Sequence, residues 1–257
     1  MLRTENIYYS VGHKKIIKGI STTFAEAQFH VIVGPNGCGK STFLKVFSGE
    51  LKPQEGKVEY DGQDVFQIPK NMLAKRRAVM SQQPELQFPL IVSEVVMMGR
   101  YPHFDFRPDK SDEDICKETM KIADVSHLAE RDYLTLSGGE KQRVHFARVL
   151  AQIWTNDNTN KFLFLDEAVS HLDLKHQHQL LQTAKNLCGK NVTIVAVLHD
   201  LNLAYTYGDR ILFMKEGRIF HETNDMLQID TTVIHEVFSV NVTVFSPEGF
   251  NRPVLVF

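Results

Sequence analysis

The chain has 257 residues, of which 43% are hydrophobic and 23% charged, with a formal net charge of −2. That balance suits one large domain or a domain with a subdomain, and it excludes a disordered chain and the basic footprint of a nucleic-acid binder. Three scattered cysteines, Cys38, Cys116 and Cys188, make neither a disulfide framework nor a zinc pattern and fit a reducing compartment.

The first nine residues lack the apolar stretch of a signal peptide, and no apolar run is long enough to cross a bilayer. Any membrane role is therefore expected to come through a partner. Residues 7–11 read as a strand carrying Tyr8 and Tyr9. Residues 29–33 read as a buried parallel strand. Directly after it, Gly34-Pro35-Asn36-Gly37-Cys38-Gly39-Lys40-Ser41 matches GxxxxGK[ST], with Thr42 opening a helical stretch to residue 47. Glycines let the backbone turn its N–H groups onto one phosphate chain, and the helix start adds more donors. Lys40 supplies charge for the β and γ phosphates, Ser41 a hydroxyl for Mg²⁺, and Cys38 fills a small position.

Residues 57–60 and a hairpin over 211–220, turning at Glu216-Gly217, read as antiparallel strands. From 84 to 154 the pattern is mainly helical, and Ser111 with Asp114 has the spacing of a capping box. Leu136-Ser137-Gly138-Gly139-Glu140 contains a second such box, Ser137 with Glu140, opening a helix towards residue 153. Capping alone explains those two residues, but not the paired glycines, which bare N–H groups at a helix start and make a second anion site. The polar, Asn-rich residues 154–161 read as a surface loop.

A buried strand over 162–165 ends in Asp166-Glu167. Alone, the pair reads as an acidic strand end. Beside a phosphate loop it reads as a nucleotide site, with Asp166 on Mg²⁺ and Glu167 polarising the attacking water. A third buried strand covers 192–198, and two apolar runs, 242–245 and 254–257, suggest a terminal hairpin. Apolar strands alternating with helices imply an α/β core with its working groups at the carboxyl ends of parallel strands.

With the phosphate loop, the acidic pair and Leu136-Ser137-Gly138-Gly139-Glu140 in this order, the chain resembles the ATP-binding cassette (ABC) family over nearly its whole length. The resemblance implies a P-loop NTPase with a RecA-like core (1–83 and 155–225), an antiparallel β subdomain, a helical subdomain (84–154) and a C-terminal extension (226–257). It implies ATP and Mg²⁺ as ligands and a head-to-tail homodimer, in which Ser137, Gly138 and Gly139 meet the γ-phosphate held by the partner's phosphate loop. Gln82, after the strand Arg77–Met80, resembles the Q-loop glutamine that senses Mg²⁺ and γ-phosphate. Asp173 resembles the D-loop aspartate coupling the two sites, and His199 the switch histidine on the γ-phosphate. Where the family commonly has Pro-Thr after the acidic pair, this chain has Ala168-Val169. The adenine-stacking aromatic aligns with Val11. Tyr9, on the same strand face with Tyr8 opposite, takes that role as readily as a core one.

Phe88-Pro89, Val92-Ser93-Glu94-Val95 and Met98-Gly99-Arg100-Tyr101-Pro102-His103 resemble the iron-chelate, haem and cobalamin importer group. Arg131-Asp132-Tyr133 and the segment His145 to Trp154 are most similar to bacterial haem importer ATPases. That resemblance implies an ATPase subunit, peripheral on the cytoplasmic face of the cell membrane. Its partners would be a dimeric integral membrane permease and, indirectly, a substrate-binding protein, with no nucleic acid. Import of ferric siderophore or cobalamin, and a non-transport scaffold role, stand as the alternatives. The histidines near Lys175, His171, His176 and His178, read as a solvated helix face, because residues two apart do not face each other on a helix. His103 reads as structural rather than as a haem ligand.

Overall fold

Inward-facing Leu2, Thr4 and Ile7 build β1 (Leu2–Val11), and Asn6, at φ 48, sits in the break that separates Thr4 from Ile7 in the register. Asparagine is among the few residues that accept this left-handed conformation. The structure is a computed structural model describing residues 1–81, 89–155, 157, 159–170, 172–246 and 252–257. It divides into two compact units, Met1–Ile68 with Thr193–Phe257, and Pro69–Val192.

In the first unit β1 pairs antiparallel with β2 (Lys14–Phe24). Next come β3 (Phe29–Val33), α1 (Lys40–Phe47), β4 (Glu55–Tyr60) and the short β5 (Gln63–Asp64), giving a sheet of order β2-β1-β4-β5. The long β2 has no counterpart among the expected strands. Its first half is lysine-rich and its buried positions alternate only from Ile20 onward, so periodicity hides it.

The second unit carries α2 (Lys70–Arg76), β6 (Arg77–Met80), α3 (Val92–Met97), α4 (Lys110–Ile122), α5 (Gly138–Ile153), β7 (Lys161–Asp166) and α6 (Leu174–Cys188). Strands β6 and β7 run parallel, with Met80 opposite Leu165. Helices α3 and α4 pack on α5. A buried ion pair fixes this packing: Arg100 Nε donates to Asp112 at 2.9 Å, and its Nη1 donates to the carbonyls of Ala151 (2.7 Å) and Trp154 (2.8 Å). The C-terminus of α5 is thus capped by a guanidinium. His103 Nε2 lies 2.8 Å from the Gln152 carbonyl, and burial holds its pKa below the usual range. Its ring serves the packing of α5.

Two local expectations need correction. Helix α4 is opened by Asp109, whose carboxylate accepts from the Asp112 amide while Asp112 accepts from the Asp109 amide, and not by Ser111. An earlier acidic residue at the right spacing outcompetes the serine. The polar stretch after α5 also ends inside the protein: Lys161 is buried, paired with Asp157 at 3.0 Å.

The first unit resumes with β8 (Val192–Val197), α7 (Leu201–Tyr207), β9 (Arg210–Lys215), β10 (Arg218–Thr223), α8 (Thr231–Phe238), β11 (Thr243–Phe245) and β12 (Val254–Val256). Strand β3 lies between β8 and β9, parallel to both, with β10 antiparallel at the edge. Every residue of β3 and β8 is buried, as expected for parallel strands covered on both faces. The terminal hairpin forms, with Val244 opposite Leu255. Asn202 of α7 extends it like a third strand, accepting from the Leu255 amide (2.8 Å) and donating to its carbonyl (3.1 Å).

Candidate functional site

The phosphate loop leaves β3 at Gly34, where an added Cβ would come within 2.2 Å of the Met214 carbonyl oxygen. Gly39, at φ 107, ends the loop and serves as the N-cap of α1 without any side-chain cap. The N-cap residue therefore brings no side chain of its own to the first turn of α1, which suits an anion. Lys40 is buried, and its ammonium donates to the carbonyls of Gly34 (2.9 Å) and Pro35 (3.1 Å), so it lies over the loop. Asn36 and Gly37 are exposed at the tip. Burial raises the Cys38 thiol pKa, so the residue is an inert filler beside Gly34. Uncapped amides and a buried ammonium fit a polyphosphate.

His199 belongs to the same unit. Ile32 of β3 pairs with Val197 of β8, so Gly34 and His199 each lie two residues beyond a matched pair, on the carboxyl edge of adjacent parallel strands. His199 is exposed, and Asp200 behind it caps α7, accepting from Asn202 (2.7 Å) and Leu203 (3.2 Å). Tyr9 is half-buried, and a register shift falls between it and Ser10. That bulge breaks the alternation that would put Tyr9 on the face of Val11, which is 62% exposed. The neighbouring Tyr8 lies across Gly19 of β2.

In the second unit β7 is buried throughout and delivers Asp166, itself buried, followed by Glu167 at φ 54. This left-handed conformation is costly for a non-glycine residue and persists only where neighbours impose it. The Glu167 carbonyl accepts from the Ser170 amide (3.2 Å) and hydroxyl (3.0 Å). Gln142 of α5 donates to the Ala168 carbonyl. Asp173 caps α6, accepting from the His176 amide (2.9 Å) and lying 2.8 Å from its ring Nδ1, and the amide and ring contacts hold its carboxyl below the usual range. Gln82 lies outside the described residues, two positions past Met80, the partner of Leu165. His171 lies outside them too.

The capping box of α5 forms as its spacing predicts. Glu140 accepts from the Ser137 amide and hydroxyl, both at 2.8 Å, and these bonds lower its pKa. Among the described residues, Gly138 is exposed with no neighbour within 4 Å of an added Cβ, and Gly139 would meet only Leu172, at 3.8 Å. Neither has a positive φ. The subunit's own packing thus has no need of glycine at either position.

Gln142 and the unusual backbone at Glu167 were missed by motif reading. Nothing in a spacing announces a side chain that reaches a distant carbonyl. The Asp-x-x-His cap at Asp173 has a signal, an aspartate directly before a helical stretch.

A phosphate loop on an uncapped helix and an acidic strand end, on an α/β frame, define an ATP-binding P-loop ATPase. The family described as ABC transporter matches residues 17–170. The hemin import ATP-binding protein HmuV of Pseudomonas entomophila (strain L48) is 38% identical over 256 residues, covering 100% of this chain and 99% of the relative. HmuV of Gloeobacter violaceus (strain ATCC 29082 / PCC 7421) is 43% identical over 220 residues, covering 85% and 80%. The dimeric post-hydrolysis structure of the ATP-binding cassette MJ0796, bound to ADP and Pi, superposes with a TM-score of 0.74 at 28% identity, covering 87% of this chain and 98% of that one. The chain belongs to the ABC transporter family and is an ATPase of that family.

Proposed function

We propose that the chain powers import of haem through a separate membrane permease, as a homodimer that holds ATP between its two subunits. The observation that carries this reading is at Gly138. Glycines that the subunit's own packing does not require, at a helix start, leave room for an anion brought by another subunit. Haem as cargo is supported by the names of the HmuV relatives.

In this reading the loop amides from Gly34 to Thr42 and the Lys40 ammonium bind the phosphates. Ser41 and Asp166 offer the hard oxygens that Mg²⁺ takes, and Gln82 has the sensing role of the Q-loop glutamine it resembles. When bound, Mg²⁺ neutralises phosphate charge. Glu167 orients and polarises the attacking water, His199 contacts the γ-phosphate, and Tyr9 is the adenine-stacking candidate. Ser137, Gly138 and Gly139 close on the partner's nucleotide, and Asp173 lies beside them in the coupling between sites. An open apolar groove lined by Leu90, Met97, Tyr101, Phe104 and Pro108, with Phe106 97% exposed nearby, suits a permease segment. Among the described residues no helix is long and apolar enough to cross a membrane. The reading gives the chain a peripheral place on the cytoplasmic face of the cell membrane, with a substrate-binding protein as an indirect partner.

The test is reconstitution with permease and binding protein in lipid vesicles. Haem is expected to stimulate ATP hydrolysis and to accumulate on the far side, while ferric siderophore and cobalamin do neither. Stimulation by one of those cargoes alone overturns the haem assignment.

A further inference from the structure

Helix α5 touches the segment carrying the acidic pair at two points. Gln142, only 7% exposed, donates its side-chain amide to the Ala168 carbonyl. One turn earlier, a Cβ added at Gly139 would lie 3.8 Å from the Leu172 side chain. Between these points runs the backbone after Glu167, and four of its carbonyls, the Ala168 one included, are held by nearby residues. Ser170 holds that of Glu167, the Leu172 amide holds that of Val169 (3.2 Å), and Gln177 holds that of Leu172 (2.9 Å). The φ of 54 at Glu167 therefore stands on an imposed hydrogen-bond pattern rather than on the preference of glutamate. Gln142 is the member of that pattern that belongs to the signature helix, and it lies one turn from Gly138.

We propose that Gln142 is a positioning residue. It sets the backbone register of Glu167 from the signature helix, so that each subunit's base answers to the nucleotide presented to its own signature by the partner. The inference rests on the reading of Glu167 as the water-polarising base and of residues 137–139 as the contact to the partner's nucleotide. Without the donor, the Ala168 carbonyl is left buried and unpaired, and the Ala168–Val169 peptide rotates to find a partner, shifting the backbone that follows Glu167. A carboxylate displaced by about 1 Å loses on the order of a hundredfold in rate, because the chemistry depends on its placement. Nucleotide affinity, resting on the phosphate loop, is not touched.

The experiment uses the full transporter in lipid and replaces the amide by a thioether of similar volume, Gln142→Met. Turnover is expected to fall about tenfold or more, with KM for ATP unchanged within about twofold and the thermal midpoint preserved. The Hill coefficient for ATP should drop to about 1, since the two sites no longer inform each other. In Gln142→Glu the carboxylate faces a carbonyl at neutral pH, but its protonated form regains a donor. Its activity relative to Gln142→Met should therefore rise as the pH is lowered, which a purely structural role would not produce. If Gln142→Met does not fold, the Gln142→Glu pH profile decides alone. Unchanged turnover and cooperativity in a folded Gln142→Met overturns the proposal. So does loss of activity that only follows loss of thermal stability, with no pH-dependent recovery in Gln142→Glu. Glu167→Gln is assayed alongside. Normal turnover there removes the underlying base assignment, whereas an inactive Glu167→Gln beside a normal Gln142→Met removes the positioning role alone.

Discussion

His145 lies at the centre of α5, 1% exposed, and neither ring nitrogen finds a hydrogen-bond partner among the described residues. Burial, then the nearby Arg148, pushes its pKa down from 6.5 to about 3. The folded protein thus refuses a proton that the unfolded chain accepts. Stability conferred by the neutral ring is complete above pH 6.5 and falls as the pH drops towards 3, with a slope approaching about 1.4 kcal/mol per pH unit. Replacing His145 by leucine removes both the unpaired nitrogens and this acid sensitivity. His145→Leu is expected to gain about 1–3 kcal/mol at pH 7 and to flatten the acid limb of a denaturation-versus-pH series. An unchanged acid limb would assign the loss of stability to other groups.

At the scale of the element, the signature helix carries folding and function within one turn, and Gly138 is where they part. Ser137 and Glu140 serve the fold, as a capping box whose loss costs about 1 kcal/mol. Gly138, in contrast, adds nothing to the subunit's packing. Gly138→Leu should leave thermal unfolding unchanged or raise stability by up to about 1 kcal/mol, because glycine is a poor helix former. The same variant should lose ATPase activity about a hundredfold through obstruction of the partner's nucleotide. Parallel calorimetry and phosphate release check both halves. Legibility followed the same line. The box at Ser137, the buried strands β3, β7 and β8 and the phosphate loop are local patterns, and each was legible from spacing alone. The lysine-rich β2, the bulge after Tyr9 and the grip of Gln142 on the Ala168 carbonyl depend on partners far along the chain. Asp109 displaced Ser111 as a cap because two candidates stood two residues apart, and only the backbone decides between them.

For the whole molecule, the proposed sharing of nucleotide between two subunits predicts that ATP controls association. Glu167→Gln with MgATP should double in mass from 29.4 kDa by light scattering and turn over at least about a hundredfold more slowly than the parent. A Glu167→Gln protein that stays at 29.4 kDa with saturating ATP argues against the shared site. The fastening of α5 at its C-terminal end carries a mechanical consequence. Its 16 residues form a rod about 24 Å long, gripped at one end by Arg100 and bearing the paired glycines at the other. With that grip as pivot, a tilt of about 5° sweeps the far tip through about 2 Å, enough to make or break a hydrogen bond. Tyr101 and Phe104, which line the apolar groove, follow Arg100 closely in the chain. A slight push delivered there acts close to the pivot and is geared up at the tip, so a lever of this kind needs little travel from whatever drives it.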